Sequence, residues 1–418
     1  MSFNQFNLDS RLMAGINRVG YDQPTPIQSA AIPPAMAGED LIGTAQTGTG
    51  KTAAFVLPIL HRLVNGPRRR ARALILTPTR ELAEQIHESI DALATGTNLR
   101  SATIYGGVGA GPQLQALRDG VEILVACPGR LLDHIDQNRV NFDGLEVLVI
   151  DEADRMLDMG FLPPVRRILK YIPNQRQTML FSATFPEEVE HLAAQTLRRP
   201  RRISVGMSRP AYTVSHALFP VPQHLKGSLL LELLAKTDTQ SVLIFTRTKH
   251  RAQRLATQIK NAGYRVTSLH GDRTQGQRQS ALSGFKGGIY QIMVATDIAA
   301  RGLDVERISH VINFDMPDTA DAYIHRIGRT GRAERSGDAF TLVTPDDQEM
   351  VHTLEKIMGQ KLPRQTLPEF NYTAPQAVNR PAQGTEAAQA PKPDGRRQPA
   401  GRAQVTGQTR PARRISRY

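Results

Sequence analysis

Cysteine, tryptophan and long apolar runs are scarce or absent in this chain of 418 residues. The single cysteine, Cys127, excludes an intrachain disulfide and a cysteine-rich zinc site. No apolar run approaches the roughly 18 residues that a membrane span needs. The N-terminus also lacks the basic and apolar segments of a secretory signal. We therefore expect a chain without a membrane span, in the reducing environment of the cytoplasm.

Aromatic residues make up only 5% of the chain, whereas basic residues exceed acidic ones by 13. Residues 371–418 contain nine basic and two acidic residues, and no leucine, phenylalanine or methionine. Such a stretch cannot bury a core, so we predict a disordered basic tail there. The positive excess indicates a polyanionic partner, either nucleic acid or an acidic membrane face.

Near-continuous apolar runs alternate with helical stretches along two parts of the chain. Runs of this kind are typical of parallel sheets that helices cover on both faces. We predict strands at 73–76, 102–105, 123–126, 147–150 and 178–181 in the first part, and at 241–245, 266–269, 292–295, 311–314 and 339–343 in the second. The fold class is therefore α/β, with two parallel-sheet domains in tandem. We place the first domain at 1–206, a linker at 207–215, the second domain at 216–370 and the tail at 371–418.

Small, polar and charged residues follow the predicted strands of both domains. Parallel sheets bind ligands at the carboxyl ends of their strands. Turn chemistry alone explains polar residues, but not the recurrence of arginine, aspartate and threonine at one edge. We therefore expect the two sheets to face each other through functional edges, with a cleft between them.

Residues 45–52 have the spacing of a phosphate-binding loop, although Ala45 replaces the usual first glycine. In such a loop backbone N–H groups surround the phosphates, Lys51 supplies a charge and the Thr52 hydroxyl reaches Mg²⁺. A predicted strand leads directly into Asp151, a candidate Mg²⁺ ligand, and Glu152, which would orient the attacking water. The two halves together predict binding of ATP and Mg²⁺. The candidate ATP-binding residues of the loop are Thr47, Gly48, Thr49, Gly50, Lys51 and Thr52.

The second domain has no phosphate loop, so one nucleotide site would serve both domains. It carries instead an arginine-rich stretch at 325–332. Guanidinium groups can stabilise the charge that develops during phosphoryl transfer, and we predict that Arg329 and Arg332 do so. A solvated basic helix is the alternative interpretation, but the embedded glycines favour a tight loop near a ligand.

These motifs, in this order, resemble those of the DEAD-box ATP-dependent RNA helicases of superfamily 2, named for the run that is here Asp151 to Asp154. The resemblance covers residues 1 to about 370. Within the family, the chain is most similar to the bacterial RhlE type. It implies two RecA-like domains. It also implies that Gln28 reads the adenine edge and that Tyr21 stacks on the adenine ring, with Phe3 as the upstream aromatic. Asp304 would face the ribose, whereas Ser182, Thr184 and His325 would couple hydrolysis to strand separation.

By the same resemblance, RNA contacts fall on Arg80, Gly107 and Arg130 in the first domain and on Thr246, Gln275, Arg278 and Thr296 in the second. One position departs from the family, which usually has threonine where Cys127 stands. The missing hydroxyl would weaken one phosphate contact. Few aromatic residues are present to stack bases, so we expect binding that depends little on RNA sequence.

The resulting hypothesis is an RNA-stimulated ATPase that opens RNA duplexes locally and remodels RNA–protein complexes, without membrane contact. An RNA clamp or scaffold with little turnover is one alternative, against which Glu152, Ser182 and Thr184 argue. A DNA helicase or remodelling ATPase of the same superfamily is another, and a phosphotransferase is a third. The sequence does not identify the RNA substrate, so roles in ribosome assembly and in RNA decay are both open. It does not identify any protein partners either.

Overall fold

The chain is described by a computed structural model over residues 2–45, 48–205, 214–237, 240–300, 308–330 and 337–375. The predicted site residues Thr47, Asp304 and Arg332 lie outside these ranges, as does the tail beyond residue 375. Within the described ranges, no helix is both long enough and apolar enough to cross a membrane.

Among the described residues, the first sheet has seven strands, all paired in parallel. Its spatial order is β3-β4-β2-β5-β6-β1-β7. The strands are β1 (Leu41–Thr44), β2 (Ala73–Leu76), β3 (Ser101–Ile104), β4 (Ile123–Ala126), β5 (Val147–Asp151), β6 (Gln177–Ser182) and β7 (Arg201–Ser204). Parallel pairing brings the carboxyl ends of β5, β6 and β1 to one edge, where Thr44 lies beside Ser182 and Asp151 beside Phe181.

The second sheet, over the part of the chain that the structure describes, has six strands, again all parallel, in the order β10-β11-β9-β12-β13-β8. The strands are β8 (Val214–Pro220), β9 (Val242–Thr246), β10 (Val266–Leu269), β11 (Ile292–Thr296), β12 (His310–Asn313) and β13 (Gly337–Val343). The prediction of two parallel-sheet α/β domains is therefore confirmed.

Helices cover both faces of each sheet. Those of the first domain are α1 (Ser10–Val19), α2 (Pro26–Met36), α3 (Lys51–Leu63), α4 (Arg80–Leu93), α5 (Ala110–Asp119), α6 (Pro128–Asp136), α7 (Ala153–Asp158), α8 (Leu162–Leu169) and α9 (Glu187–Thr196). Those of the second are α10 (Lys226–Lys236), α11 (Lys249–Asn261), α12 (Gln275–Lys286), α13 (Asp297–Ala300), α14 (Ala320–Ile327) and α15 (Gln348–Met358).

Alternate residues of the strands in the first sheet point into two cores, one on each face. In β2, for example, Ala73 and Ile75 belong to one core of the first domain, whereas Leu74 and Leu76 belong to the other. Such burial on both faces explains why the strands are continuous apolar runs.

Two edge strands, β7 and β8, were not predicted. In β7 only Ile203 is buried, and the other three residues are exposed, so its sequence lacks the apolar run used to predict strands. Strand β8 begins at Val214, within the predicted linker range 207–215. After residue 370, Tyr372 and Ala374 pack against the core of the second sheet, and the folded unit ends at Ala374. The predicted domain boundaries remain predictions.

Candidate functional site

The phosphate loop runs from the end of β1 into α3. Gly48 and Gly50 have φ values of 86° and 91°, in the left-handed region that favours glycine. The side chain of Gln28 donates a hydrogen bond of 3.1 Å to the Gly50 carbonyl. A Cβ at residue 50 would lie only 2.5 Å from Nε2 of Gln28. Gly50 therefore allows both the turn and this contact.

Lys51 begins α3 and is buried, yet its Nζ has no hydrogen-bond partner among the described residues. A buried ammonium group without a partner is costly, since its desolvation is not compensated. The free N–H groups at the start of the 13-residue helix α3 add further positive potential at the same place. These features fit a bound polyphosphate, which supplies oxygen atoms to both groups.

Asp151 ends β5 at the same edge and is almost fully buried. Burial raises the pKa of its carboxyl group to about 6, although the nearby Lys51 opposes this shift. The described residues contain no group of three or more histidine, cysteine, aspartate or glutamate side chains suited to a metal. Mg²⁺ needs no such group, because phosphate oxygens and water fill most of its coordination sites and one or two protein oxygens suffice.

Glu152 follows in a left-handed conformation, with φ of 55°, which turns the chain from β5 into α7. Its carboxylate forms an ion pair with Arg155, with Oε2 and Nη1 separated by 2.5 Å, and both side chains are 4% exposed. Arg155 is not among the site residues predicted from the sequence. The three-residue spacing on a helix was the available signal, since residues three apart are neighbours on a helix surface.

Ser182 and Thr184 contact the last residue of the same acidic run. The amide of Asp154 donates to Oγ of Ser182 over 3.1 Å, and the amide and hydroxyl of Thr184 donate to the Asp154 carboxylate over 3.0 and 3.2 Å. The ends of β5 and β6 are thus joined by side chains as well as by the sheet. A movement of either strand end would be transmitted to the other.

Near the phosphate loop, Tyr21 stacks on the buried Phe3, with ring centroids 6.1 Å apart. Oε1 of Gln28 accepts a hydrogen bond from the Thr25 amide in a capping box at the start of α2. Gln28 is therefore held between α2 and the phosphate loop. Adenine recognition by Gln28 and Tyr21 stays a prediction.

A cleft of about 290 Å³ lies between the domains. Asp154, Arg155 and Thr184 line it from the first domain, and His325, Arg326 and Arg329 from the second. Arg326 is committed to its own domain, because its guanidinium binds both oxygens of Asp297 at 2.6 Å and lies over the ring of Phe245. Arg329 is also buried and faces this cleft.

Several residues predicted to bind RNA meet at the facing edges of the domains. Nη1 of Arg80 lies 3.4 Å from Oε1 of Gln275, and Arg278 forms an ion pair with Glu81 at 2.7 Å. The guanidinium of Arg80 covers Gly107, where any Cβ would overlap it. Five of the seven residues predicted to bind RNA therefore form side-chain hydrogen bonds or lie directly beside a residue that does: Arg80, Gly107, Arg130, Gln275 and Arg278.

The other two residues predicted to bind RNA, Thr246 and Thr296, are paired residues at the ends of β9 and β11.

In the first domain Cys127 is buried, and burial raises the pKa of its thiol to about 12. It occupies the N-cap position of α6 without a side-chain hydrogen bond to the helix. The thiol therefore stays neutral at ordinary pH and leaves the helix start uncapped.

Comparison with known proteins agrees with this geometry. Residues 25–192 match the model for DEAD/DEAH box helicases, and residues 225–334 match that for the helicase conserved C-terminal domain. The chain is 39% identical to the DEAD-box ATP-dependent RNA helicase CshA of Bacillus subtilis, over 89% of this chain and 75% of that protein. The chain belongs to the DEAD-box helicases.

Two further relatives extend this result. The helicase is 44% identical to the ATP-dependent rRNA helicase RRP3 of Saccharomyces cerevisiae, over 88% of this chain and 74% of that protein. Its fold matches S. cerevisiae Dbp5 bound to RNA and ADP BeF3 with a TM-score of 0.77 and 29% identity, covering 87% of this chain and 95% of that one. The helicase is thus an RNA-stimulated ATPase that uses ATP to unwind or remodel RNA.

Proposed function

We propose that this helicase opens short RNA duplexes by closing its two domains over ATP and one RNA strand. The observation that carries the proposal is the buried Lys51 ammonium, which has no hydrogen-bond partner among the described residues and lies at the edge that also bears Asp151. The same edge faces the second domain through the contacts of Arg80 with Gln275 and of Glu81 with Arg278. Nucleotide binding and domain contact are therefore adjacent.

On the nucleotide side, Lys51 and the backbone of the phosphate loop would bind the ATP phosphates. The Thr52 hydroxyl and the Asp151 carboxylate would hold Mg²⁺, partly through water. When bound, Mg²⁺ would neutralise charge on the phosphate oxygens. Glu152 would orient the attacking water, and Arg155 would fix the direction of that carboxylate.

Closure would bring Arg329 of the second domain toward the terminal phosphate. Arg332, which the sequence places three residues further on, would act with it, and Asp304 would bind the ribose. A guanidinium that arrives only on closure stabilises the transition state only when both domains are in place. Hydrolysis would thereby depend on RNA, because RNA bound to both domains favours the closed state.

On the RNA side, Arg80 and Arg130 would contact the backbone from the first domain, and Gln275, Arg278 and the paired Thr246 and Thr296 from the second. Contacts to phosphate and to the 2′-hydroxyl would distinguish RNA from DNA without reading bases. The similarity to the ATP-dependent rRNA helicase RRP3 makes ribosomal RNA a candidate substrate, and an RNA that is being degraded is the other candidate. We place the protein in the cytoplasm, as a member of the RhlE type.

Three variants test the assignment of the nucleotide site. Lys51→Ala should abolish ATP binding, whereas Glu152→Gln should retain ATP and lose hydrolysis, because only the water-orienting group is removed. Arg329→Ala should lower RNA-stimulated kcat by roughly 10³-fold or more. Glu188→Gln, on the exposed first turn of α9, is the matched control and should behave as wild type.

Nucleotide binding is measured with a fluorescent ATP analogue, and turnover by phosphate release with and without RNA. Near-normal hydrolysis by Glu152→Gln would refute the role given to that carboxylate. If wild-type protein binds RNA and ATP but does not turn over, the clamp alternative holds. Equal stimulation by DNA and RNA would favour a DNA-directed ATPase.

A further inference from the structure

A basic cavity of about 380 Å³ lies at the edge of the first sheet opposite the nucleotide site. It is found where β2, β4 and β5 begin, since Ala71, Val121 and Gly144 all line it just before these strands. Three arginines, Arg69, Arg70 and Arg139, surround the opening. Nothing in the ATPase mechanism uses this cavity.

The loop that carries Arg69 and Arg70 is fixed by buried groups beside it. The guanidinium of Arg72, which is 4% exposed, binds Glu146 at 2.6 Å and donates to the Leu63 carbonyl at 2.9 Å. The carboxylate of Glu122, also buried, accepts hydrogen bonds from the amides of Arg69 and Arg100 at 2.7 and 2.9 Å. The loop therefore presents its arginines from a rigid base, which lowers the entropic cost of binding.

The three arginines at the opening are exposed, and their side chains form no hydrogen bond or ion pair with any residue in the described ranges. Asp143 is the single acidic residue among the described lining residues. Its carboxylate accepts a hydrogen bond of 2.9 Å from the amide group of Asn141. The opening thus carries a net positive charge with guanidinium groups available to an anion.

Part of the cavity lining is apolar. Leu117, Val121 and Leu124 form its floor, and no aromatic residue lies among the described lining residues. Aromatic side chains are what proteins use to stack bases, so the floor does not suit a nucleobase. It suits an aliphatic side chain, while guanidinium groups pair well with carboxylates.

We propose that this cavity binds an acidic segment of a partner protein, with one aliphatic side chain on the floor and carboxylates paired to Arg69, Arg70 and Arg139. The helicase's own residues 371–418 are excluded as the occupant by their charge, since they carry nine basic residues and two acidic ones. The proposal does not depend on the proposed ATPase residues, because the cavity lies at the opposite edge of the sheet.

The test uses a fluorescein-labelled peptide of about eight residues, glutamate and aspartate around a central leucine, with the full-length helicase. RNA and ADP–beryllium fluoride are present in saturating amounts, so that the RNA-binding edge is occupied. Anisotropy should show saturable binding. A peptide with serine in place of leucine should bind about tenfold or more weakly, because it loses the burial of the leucine side chain.

The double variant Arg70→Glu/Arg139→Glu should bind the leucine peptide at least about tenfold more weakly, since two ion pairs become repulsive. The matched control is Arg18→Glu, a charge reversal on the exposed face of α1 in the same domain. It should leave peptide binding unchanged. All variants should keep wild-type RNA-stimulated ATPase, which verifies folding.

Three results would overturn the proposal. Equal affinity for the leucine and serine peptides would mean that the floor is not used. Equal binding by wild type and the double variant would place the peptide elsewhere, for example on the basic C-terminal residues. Arginine-dependent binding that is seen only when RNA is omitted would assign the cavity to nucleic acid.

Discussion

Glu81 and Arg278 form an ion pair that joins the two domains, with Oε1 of Glu81 at 2.7 Å from Nε of Arg278. Their side chains are only 8% and 13% exposed, so the pair is largely shielded from solvent. Arg80 and Gln275, which begin α4 and α12, make the adjacent contact. The two helix starts therefore face each other, and the residues predicted to bind RNA also hold the domains together.

Breaking this pair should weaken domain closure without unfolding either domain. Glu81→Gln and Arg278→Gln should each raise the RNA concentration for half-maximal ATPase, by roughly tenfold, because a buried charge loses its partner. The charge swap Glu81→Arg/Arg278→Glu should recover part of the loss. A double-mutant cycle on RNA-stimulated ATPase measures the coupling. Additive effects would show that the pair does not contribute to closure.

Arg155 should act on turnover through Glu152. Arg155→Gln should lower kcat by roughly tenfold or more and leave the KM for ATP nearly unchanged, since the carboxylate is misdirected but binding groups remain. Arg155→Lys, which keeps the charge, should recover part of the activity. Arg167→Gln, which removes an exposed pair with Asp136, is the control. A rise in KM with unchanged kcat would contradict this role.

The buried Asp151 should reduce the stability of the protein without nucleotide. Its folded-state pKa of about 6 exceeds the ordinary value of 3.8, so the folded state favours the protonated form. The resulting destabilisation is fully present above pH 6 and disappears as the pH falls from 6 to 3.8.

Asp151→Asn should therefore unfold several degrees above wild type at pH 7.5 and at nearly the same temperature at pH 4. Thermal unfolding of both proteins across this pH range measures the difference. Addition of Mg²⁺ and ATP should stabilise the wild type only. A difference that does not change with pH would mean that the carboxylate is not the cause.

Cys127→Thr should improve both stability and RNA binding. A threonine hydroxyl can cap α6, which has no side-chain cap now, and a cap contributes about 1 kcal/mol. Cys127→Val, which has the same shape without the hydroxyl, is the matched control. Thermal unfolding and RNA titration of both variants separate the effect of the hydroxyl group from the effect of side-chain packing. Equal behaviour of the two variants would show that the hydroxyl has no effect.

The basic C-terminal residues should add phosphate contacts. For single-stranded RNA, each phosphate contact contributes about −0.7 to the slope of log K against log salt concentration. About four contacts therefore add nearly three units to the magnitude of this slope. Truncation after Pro375, which keeps the packed Tyr372 and Ala374, should flatten this slope and leave the maximal ATPase rate unchanged. A full-length protein in which the arginines after Pro375 are replaced by glutamine is the control. Equal slopes for truncated and wild-type protein would exclude a contribution to RNA binding.

The sequence by itself determined the parts of this protein that depend on local pattern. The strands at 73–76 and 123–126 have the predicted bounds, because continuous apolar runs specify central strands. The phosphate loop was likewise predictable from the sequence, since its glycines and its lysine lie close together along the chain. The arginine-rich stretch was found in the same way, but only the structure shows that Arg326 is bound to Asp297 whereas Arg329 lines the cleft.

The tertiary structure decided whatever depends on residues far apart in the chain. Strand β7 exists because it pairs with β1, and its own sequence has only one buried residue. Glu81 and Arg278 are 197 positions apart, and their contact follows from domain packing. The basic cavity combines three loops that meet only because β4, β2 and β5 are neighbours in the sheet. Local periodicity reports which side chains are buried, whereas strand order and domain packing determine which of them meet.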